Sequence, residues 1–468
     1  MTRRVRVDRA AMARGEVVGA ELGDARLSQR LEQLVESLAR KPSESFPDAM
    51  GSEAALEATY RFLGNERVTP QAVLAPHVEQ TRRRCVAAGR VLVIFDTTEL
   101  RYSGARDELG YLTNENSRGL YAQAGLAVNP ETREPLGVLH CETWVRRGPK
   151  KNRKQATGAA DSESLRWHRG VEAVFADLPE AVCVMDREAD IFTLVAQMQA
   201  RGQDFIIRAA QNRVTPDGLM WDLPDDAELV TTRDVELPER KARKRQSARK
   251  LHPPRSAHTA TLELRARRIT LKSPNASKNK NSKRKATVTE LHLVHVIERD
   301  PPDGDPPVEW VLLTSLPIST KRDMDFIVDA YRARWVIEEL FKALKSGCAI
   351  EKRQLEGLHS ITNALAVWLP IAWLLLRLRH LSRDEPDRPA GTLIPPSMLT
   401  CLRVLLIENK RKPLPARPTC RQLTWGIAGL GGHITNNGEP GLIVLGRGLA
   451  RLIAAADVVA AMKRAAEL

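Results

Sequence analysis

The chain has no CxxC pair, and its six cysteines (Cys85, Cys141, Cys183, Cys348, Cys401 and Cys420) are widely scattered. This excludes a zinc finger and a disulfide scaffold, and it suits a reducing compartment. Cys183, in the apolar run AVCVMD, reads as a small core residue. The ten histidines do not cluster either. His292 and His295 lie in TVTELHLVHVI, whose alternation puts them on opposite faces of a strand, so both read as structural. Long apolar runs are also missing. The longest, ALAVWLPIAWLLL at 364–376, contains Pro370 and is too short to span a bilayer, so it predicts a buried helix and no membrane partner. The N-terminus, MTRRVRVDRA, is charged throughout and gives no secretory signal. There is no internal repeat.

What the chain does have is positive charge. Lys and Arg number 72 against 58 Asp and Glu, a formal excess of 14. For a chain with 28% charged and 43% hydrophobic residues, which places it among globular proteins, that excess points to a polyanion, and nucleic acid is the commonest one. An inert basic surface is the alternative.

Residues 20–87 read as helices, with Asp24 placed to cap the first, and Arg26 and Arg30 four apart on one face. RVLVIFD at 90–96 is the first buried strand. RGLYAQAGLAVNP and LGVLHCETWVR follow around the turn-rich NPETREP. SLRWHRGVEAVFADL predicts a helix, AVCVMD a second buried strand, EADIFTLVAQMQARG a helix and DFIIRAA a strand. Residues 210–316 interrupt the alternation with strand-like pieces between basic loops at about 240–255 and 272–285, whose charge suits phosphates or simply solvent. After residue 360 the chain is helical. The expected fold is α/β with a mixed central sheet, flanked by helical N- and C-terminal regions.

The helix YRARWVIEELFKALKSG (331–347) has an unusual polar stripe. At about 100° per residue, Tyr331, Arg334, Glu338 and Lys345 fall within roughly 60°. The stripe borders the apolar arc of Ala333, Ile337, Leu340, Phe341 and Leu344 instead of opposing it. Charge pairing along a solvated helix is one explanation. The wall of a site is the other. Two acids, Asp96 after RVLVIF and Asp186 after AVCVM, are expected at the ends of buried strands, where an Asp also commonly caps the next turn. Adjacent strands would bring them together, and Glu338 would be the third carboxylate. Three clustered carboxylates repel one another unless a cation neutralises them, and hard oxygens with open positions suit Mg²⁺ or Mn²⁺. A pair of such ions suits in-line phosphoryl transfer, with Arg334, Lys345 and Tyr331 placed to hold a phosphate.

The spacing Tyr331–x2–Arg334–x3–Glu338–x6–Lys345 resembles the YREK element of the IS4 family of bacterial insertion-sequence transposases. The likeness extends to ELGDAR, GSEAALEATYRF, the DTT after the first strand, SRG at 117–119, MDREADIF, EWVLLTS and RWVIEELFKALKSG. It implies an RNase H-like core with a DDE triad of Asp96, Asp186 and Glu338, two Mg²⁺ ions per site, and a β-rich insertion at about 210–316. It also implies an N-terminal DNA-binding domain (1–88), a catalytic domain (89–360) and a C-terminal dimerisation domain (361–468). The implied reaction is cut-and-paste transposition in the bacterial cytoplasm. A homodimer synapses two inverted repeats of double-stranded DNA, cuts the ends through a hairpin and joins them to target DNA. Tyr331, Arg334 and Lys345 match residues that hold the DNA backbone, and Trp310 matches a tryptophan that takes a flipped base, its alternative being a half-buried strand aromatic. Arg208, Arg26 and Arg30 fall where the family contacts DNA. A non-catalytic DNA-binding protein and a nuclease that cleaves without joining are the competing readings.

Overall fold

The computed structural model describes residues 13–104, 106–148, 163–224, 226–240, 253–273, 288–390, 394, 396–434 and 438–465. Most of the two basic loops expected at 240–255 and 272–285 lies outside the described residues. In chain order the elements begin with helices α1 (Ala25–Arg40), α2 (Phe46–Met50), α3 (Glu53–Leu63) and α4 (Pro70–Ala88). Strands β1 (Leu92–Tyr102), β2 (Gly110–Tyr111), β3 (Arg118–Val128) and β4 (Pro135–Trp144) follow. Next come α5 (Glu163–Phe175), β5 (Val182–Met185), α6 (Phe192–Ala200) and β6 (Asp204–Arg208). A small hairpin, β7 (Val214–Thr215) and β8 (Gly218–Leu219), leads to β9 (Glu228–Leu237), β10 (His258–Lys272), β11 (Val288–Glu298) and β12 (Glu309–Thr314). The chain continues with α7 (Lys321–Ala333), α8 (Trp335–Lys342), α9 (Leu358–Asp384), α10 (Pro396–Glu408), α11 (Cys420–Leu430) and α12 (Leu442–Ala465).

These elements form two compact units: residues 1–89, 96–160 and 335–468 in one, and 90–95 and 161–334 in the other. In the second unit the start of β1 runs parallel to β5, and β5 parallel to β6. Both β1 and β5 are buried over these residues, as their unbroken apolar runs predict. The region expected as an insertion supplies four antiparallel strands that continue outward from β6 in the order β12, β11, β10, β9. Strand β9 was not expected from the sequence, because ELVTTRDVEL is polar and mostly exposed. It is held by main-chain pairing along β10, with Thr261 donating to Asp234 across the pair. His292 and His295 are structural, as expected. His292 bonds the Leu316 carbonyl and His295 bonds Glu309.

In the first unit Asp24 caps α1 as expected, accepting from the Arg26 amide, and Ser52 and Thr69 likewise cap α3 and α4 by accepting from the Ala55 and Ala72 amides. The remainder of β1 lies beside β3, which pairs with β2 and β4. The glycine of SRG has a steric reason, since a Cβ on Gly119 would stand 2.0 Å from the Leu100 carbonyl oxygen. Helix α9 contains the predicted apolar run and continues through Pro370. It is the one described helix long and apolar enough to cross a membrane, and 94% of its apolar window is buried inside the protein. Its Trp373 indole donates to the Pro135 carbonyl and its Asn363 amide to those of Leu63 and Val68, so side chains on the helix tie it to the rest of the unit. Helices α11 and α12 cross without side chains. A Cβ on Gly448 would meet the Ile427 carbonyl oxygen at 1.7 Å, and one on Gly431 would meet that of Val444 at 1.8 Å.

The same unit contains a buried charge network. The Glu16 carboxylate receives His77 Nδ1 at 2.6 Å and Arg84 Nη1 and Nη2 at 2.8 and 3.0 Å. His77 Nε2 accepts from the Val138 amide, and the Arg84 guanidinium lies 4.4 Å over the Trp373 ring. Burial works against the Glu16 charge, but His77 and Arg84 outweigh it and hold its pKa down at about 2. All six cysteines are free; five are buried and Cys141 is partly so.

Candidate functional site

Asp186 stands where β5 ends, and it carries out the capping role open to such a residue: its Oδ1 accepts from the Glu188 amide at 2.9 Å. The expectation for Asp96 needs correction. It does not end its strand. β1 runs on to Tyr102, because TTELRY replaces the fully apolar run with an alternation that buries Thr98, Leu100 and Tyr102 on one face. Asp96 therefore sits mid-strand, 8% exposed, accepting from the Thr97 amide at 2.7 Å. Phe95 opposite Met185 is the last registered pair of β1 and β5, and Asp96 and Asp186 are the next residues of their segments.

Four residues on from Asp186, Asp190 is 5% exposed and fully engaged. Its Oδ2 accepts from the Ala210 and Gln211 amides at 2.7 and 2.8 Å, and its Oδ1 pairs with Arg213. This anchors the chain just beyond Arg208, the last residue of β6. The Arg208 guanidinium donates to the Glu309 carbonyl at 3.2 Å, next to Trp310. Trp310 is half-buried, and its ring meets Tyr331 edge-on, with centroids 5.3 Å apart and an interplanar angle of 61°. The second unit thus gathers Arg208, Trp310 and Tyr331. Tyr331 is 7% exposed, so this end of the predicted stripe is packed against the tryptophan.

The helix predicted at 331–347 is interrupted. A capping box at Thr320 and Asp323 starts α7, which ends at Ala333 with Arg334 as its C-cap, and α8 begins at Trp335. Arg334 keeps right-handed helical dihedrals (φ −50°, ψ −31°). Residues Ala343–Gly347 form a single π-helical turn carrying Lys345, which 3.6-residue periodicity does not foresee. The apolar arc is as predicted: Ala333, Ile337, Leu340, Phe341 and Leu344 are all buried.

In the first unit, Glu338 and Lys345 share their surroundings with two carboxylates that the sequence did not single out, Glu351 and Glu99. Burial lowers the Lys345 pKa, while Glu351, Glu99 and Glu338 act to raise it. Glu351 accepts from the Arg101 amide at 2.9 Å. Glu99 accepts from the Thr113 amide at 2.9 Å. Its burial is outweighed by the Thr113 and Tyr121 hydrogen bonds and by Arg146, so its pKa lies below the usual carboxylate range. Glu339, adjacent to Glu338, forms ion pairs with Arg379 and Arg383 of α9 at 3.2 and 3.1 Å. Of the two neighbouring glutamates, the second fastens α8 to α9. Glu99 is visible in DTTEL, but Glu351 and the two arginines approach from distant segments and carry no local signal.

Arg26 is 90% exposed at its side chain and turns back onto Asp24 at 3.1 Å. Arg30 is partly exposed one turn further along α1. Asp96, Glu338 and Lys345 belong to one compact unit, and Asp186, Arg208, Trp310, Tyr331 and Arg334 to the other. Among the described residues no group of three or more His, Cys, Asp or Glu side chains is close enough together to hold a metal ion. The donor chemistry of Asp96, Asp186 and Glu338, three carboxylates, still fits a hard divalent cation.

Comparison with known families gives two matches. The family model described as transposase DNA-binding matches residues 9–68, and the one described as transposase DDE domain matches residues 87–374.

Proposed function

The chain belongs to the DDE transposase family, metal-dependent enzymes that cleave and join DNA, and from that premise we propose that it is a cut-and-paste transposase of the IS4 type, of the kind represented by the Tn5 (IS50) transposase. The observation that carries the reading is the placement of the acids within the matched region. Asp96 and Asp186 each follow the last registered pair of two parallel buried strands. Glu338 is on a helix whose apolar arc is buried and whose next glutamate is tied down elsewhere.

Asp96, Asp186 and Glu338 would hold the divalent cations, Mg²⁺ or Mn²⁺, as a pair in each site. When bound, such ions supply Lewis-acid stabilisation of the phosphoryl oxygens and a more acidic water or hydroxyl. The rest is done by the chain. Arg334 and Lys345 would offer cationic donors to backbone phosphates near the cleavage point, and Arg208 a further DNA contact. Tyr331 sets the angle of Trp310, whose exposed part offers a stacking surface to a base displaced from the duplex. Arg26 and Arg30 on α1 would contact the terminal inverted repeat, within the matched DNA-binding region. Residues 1–88 would serve DNA binding, 89–360 catalysis and 361–468 dimerisation, with two protomers synapsing two ends in the bacterial cytoplasm.

The test is incubation with Mg²⁺ and a labelled duplex carrying the element's terminal repeat. Hairpin-ended fragments and strand transfer are expected. Nicked or linear products alone would mean a nuclease, and binding without cleavage a non-catalytic protein. Glu338→Gln should abolish chemistry and leave DNA binding largely intact.

A further inference from the structure

The first unit contains a cavity of about 1040 Å³ that no role described so far accounts for. Its wall carries four arginines, Arg106, Arg118, Arg146 and Arg147, against two carboxylates, Asp107 and Glu108. Glu108 is already committed, because it accepts from the Leu358 amide at the start of α9. Arginines elsewhere in the protein mostly meet acids: Arg84 meets Glu16, Arg213 meets Asp190, Arg233 meets Asp329 and Arg377 meets Glu134. Among the described residues, no ion pair is made by Arg106, Arg118 or Arg147. Arg106 Nη1 is moreover buried without a hydrogen-bond partner. A buried guanidinium nitrogen left unpaired carries the full desolvation cost of that donor, unless a ligand supplies the acceptor.

The arginines are also aimed. The Arg118 guanidinium lies over Tyr111, 3.7 Å from the ring centroid, and donates to the Glu115 carbonyl at 2.9 Å. Arg146 lies 3.8 Å over Tyr121, and that ring stacks on Trp144. The Tyr111 amide donates to the Arg146 carbonyl at 2.8 Å, which fixes the two sides of the cavity to each other. Forks held on aromatic faces lose little freedom on binding, and their edges point bidentate donors at planar or tetrahedral oxyanions.

We propose that this cavity is a phosphodiester site, holding the backbone of a DNA strand bound by the unit that carries Glu338. The inference rests on the transposase reading for its ligand. Arg146 of the cavity wall lies over Tyr121, which hydrogen-bonds Glu99, and Glu99 and Glu338 both act on the charge of Lys345. The basic cavity, Glu338 and Lys345 all belong to one compact unit. The volume accommodates one or two nucleotides, and the stacked arginine–tyrosine pairs suit an unpaired strand as well as a duplex edge.

The experiment uses the full-length chain and two fluorescent probes of arbitrary sequence, a blunt duplex and the same duplex with a single-stranded tail. Binding is followed by anisotropy across a salt series. Arg118→Gln with Arg147→Gln should weaken binding about tenfold and flatten the log K against log salt slope by about 1.4 for two single-strand phosphate contacts, or somewhat more for duplex contacts. Loss confined to the tailed probe identifies an unpaired strand, and equal loss on both identifies the duplex backbone. Arg118→Lys with Arg147→Lys should restore most of the slope, which a merely structural defect would not do. If the double variant melts early, Arg147→Gln alone, at an exposed position, should still lower the slope by about 0.7. Slopes unchanged by these substitutions, while the wild type binds and cleaves DNA, would overturn the site and leave the transposase reading standing. A wild type that neither binds nor cleaves the terminal-repeat duplex would overturn that reading itself.

Discussion

Two polar clusters in the same unit are built on opposite plans. Around Glu16, every charge is answered: one carboxylate takes His77 and both outer nitrogens of Arg84, and the remaining imidazole nitrogen takes a main-chain amide. Around the cavity, Arg106, Arg118 and Arg147 make no ion pair among the described residues, although Asp107 and Glu108 belong to the same wall. The first arrangement is closed and can only hold the fold together. The second is incomplete without an anion. Each contains a buried polar atom, the Glu16 carboxylate in the first and Arg106 Nη1 in the second, so burial alone does not mark function. What separates them is whether the protein supplies the counter-charge itself.

The largest effect should come from opening the closed cluster. Glu16→Ala leaves His77 and Arg84 without their acceptor and should cost about 3–5 kcal/mol of stability, read from urea unfolding. A loss below about 1 kcal/mol would place this network among decorative surface pairs. The same cluster predicts acid sensitivity. The folded-state pKa of Glu16 is depressed to about 2, so its contribution is fully present above the ordinary carboxylate value near 4.5 and fades as pH falls from there towards 2. Burial also depresses His77, so its contribution is fully present above its usual 6.5 and fades as pH falls from there, in the same direction. Glu16→Gln should flatten the fall in melting temperature over the Glu16 window.

A second test sits between the two plans. Glu339 is a compensated charge beside a candidate metal ligand. Glu339→Gln should cost only about 1 kcal/mol in stability, since Arg383 is partly exposed, yet lower DNA cleavage about 10- to 100-fold by loosening the helix that presents Glu338. Equal small losses in both would reduce it to a surface pair. The smallest effect belongs to Arg26, exposed and turned onto Asp24. Arg26→Ala should leave the melting temperature unchanged and reduce the salt slope of terminal-repeat binding by about 1.

The elements that sequence revealed were those fixed by local pattern. Parallel strands β5 and β6, the capped helices and the apolar arc of α8 follow from runs and periods read within one segment. Strand β9 escaped because a polar edge segment takes its conformation from its neighbour's backbone, and Asp96 was misplaced because a strand can change from two-sided to one-sided burial without ending. Glu338, Arg334 and Lys345 were recognisable through their spacing. Glu351 reaches Arg101 across 250 positions, and Arg383 reaches Glu339 across 44. No local window contains either pairing, and the π-helical turn under Lys345 departs from the period that a window reads. The cavity is the extreme case, since its cations come from 106–118 and 146–147 and part of its wall from the start of α9, and each cation alone resembles ordinary surface charge.

The crossing of α11 and α12 imposes a different kind of demand. Where Gly431 and Gly448 meet the opposing carbonyl oxygens, the two helices touch main chain to main chain. Most substitutions in a helix pair subtract something, and neighbours partly relax to fill the gap. Here even a methyl adds matter where there is no room, and the only response is for one helix to lift away along its length. A mutational survey of these helices would find its steepest positions at the two residues that have no side chain to lose.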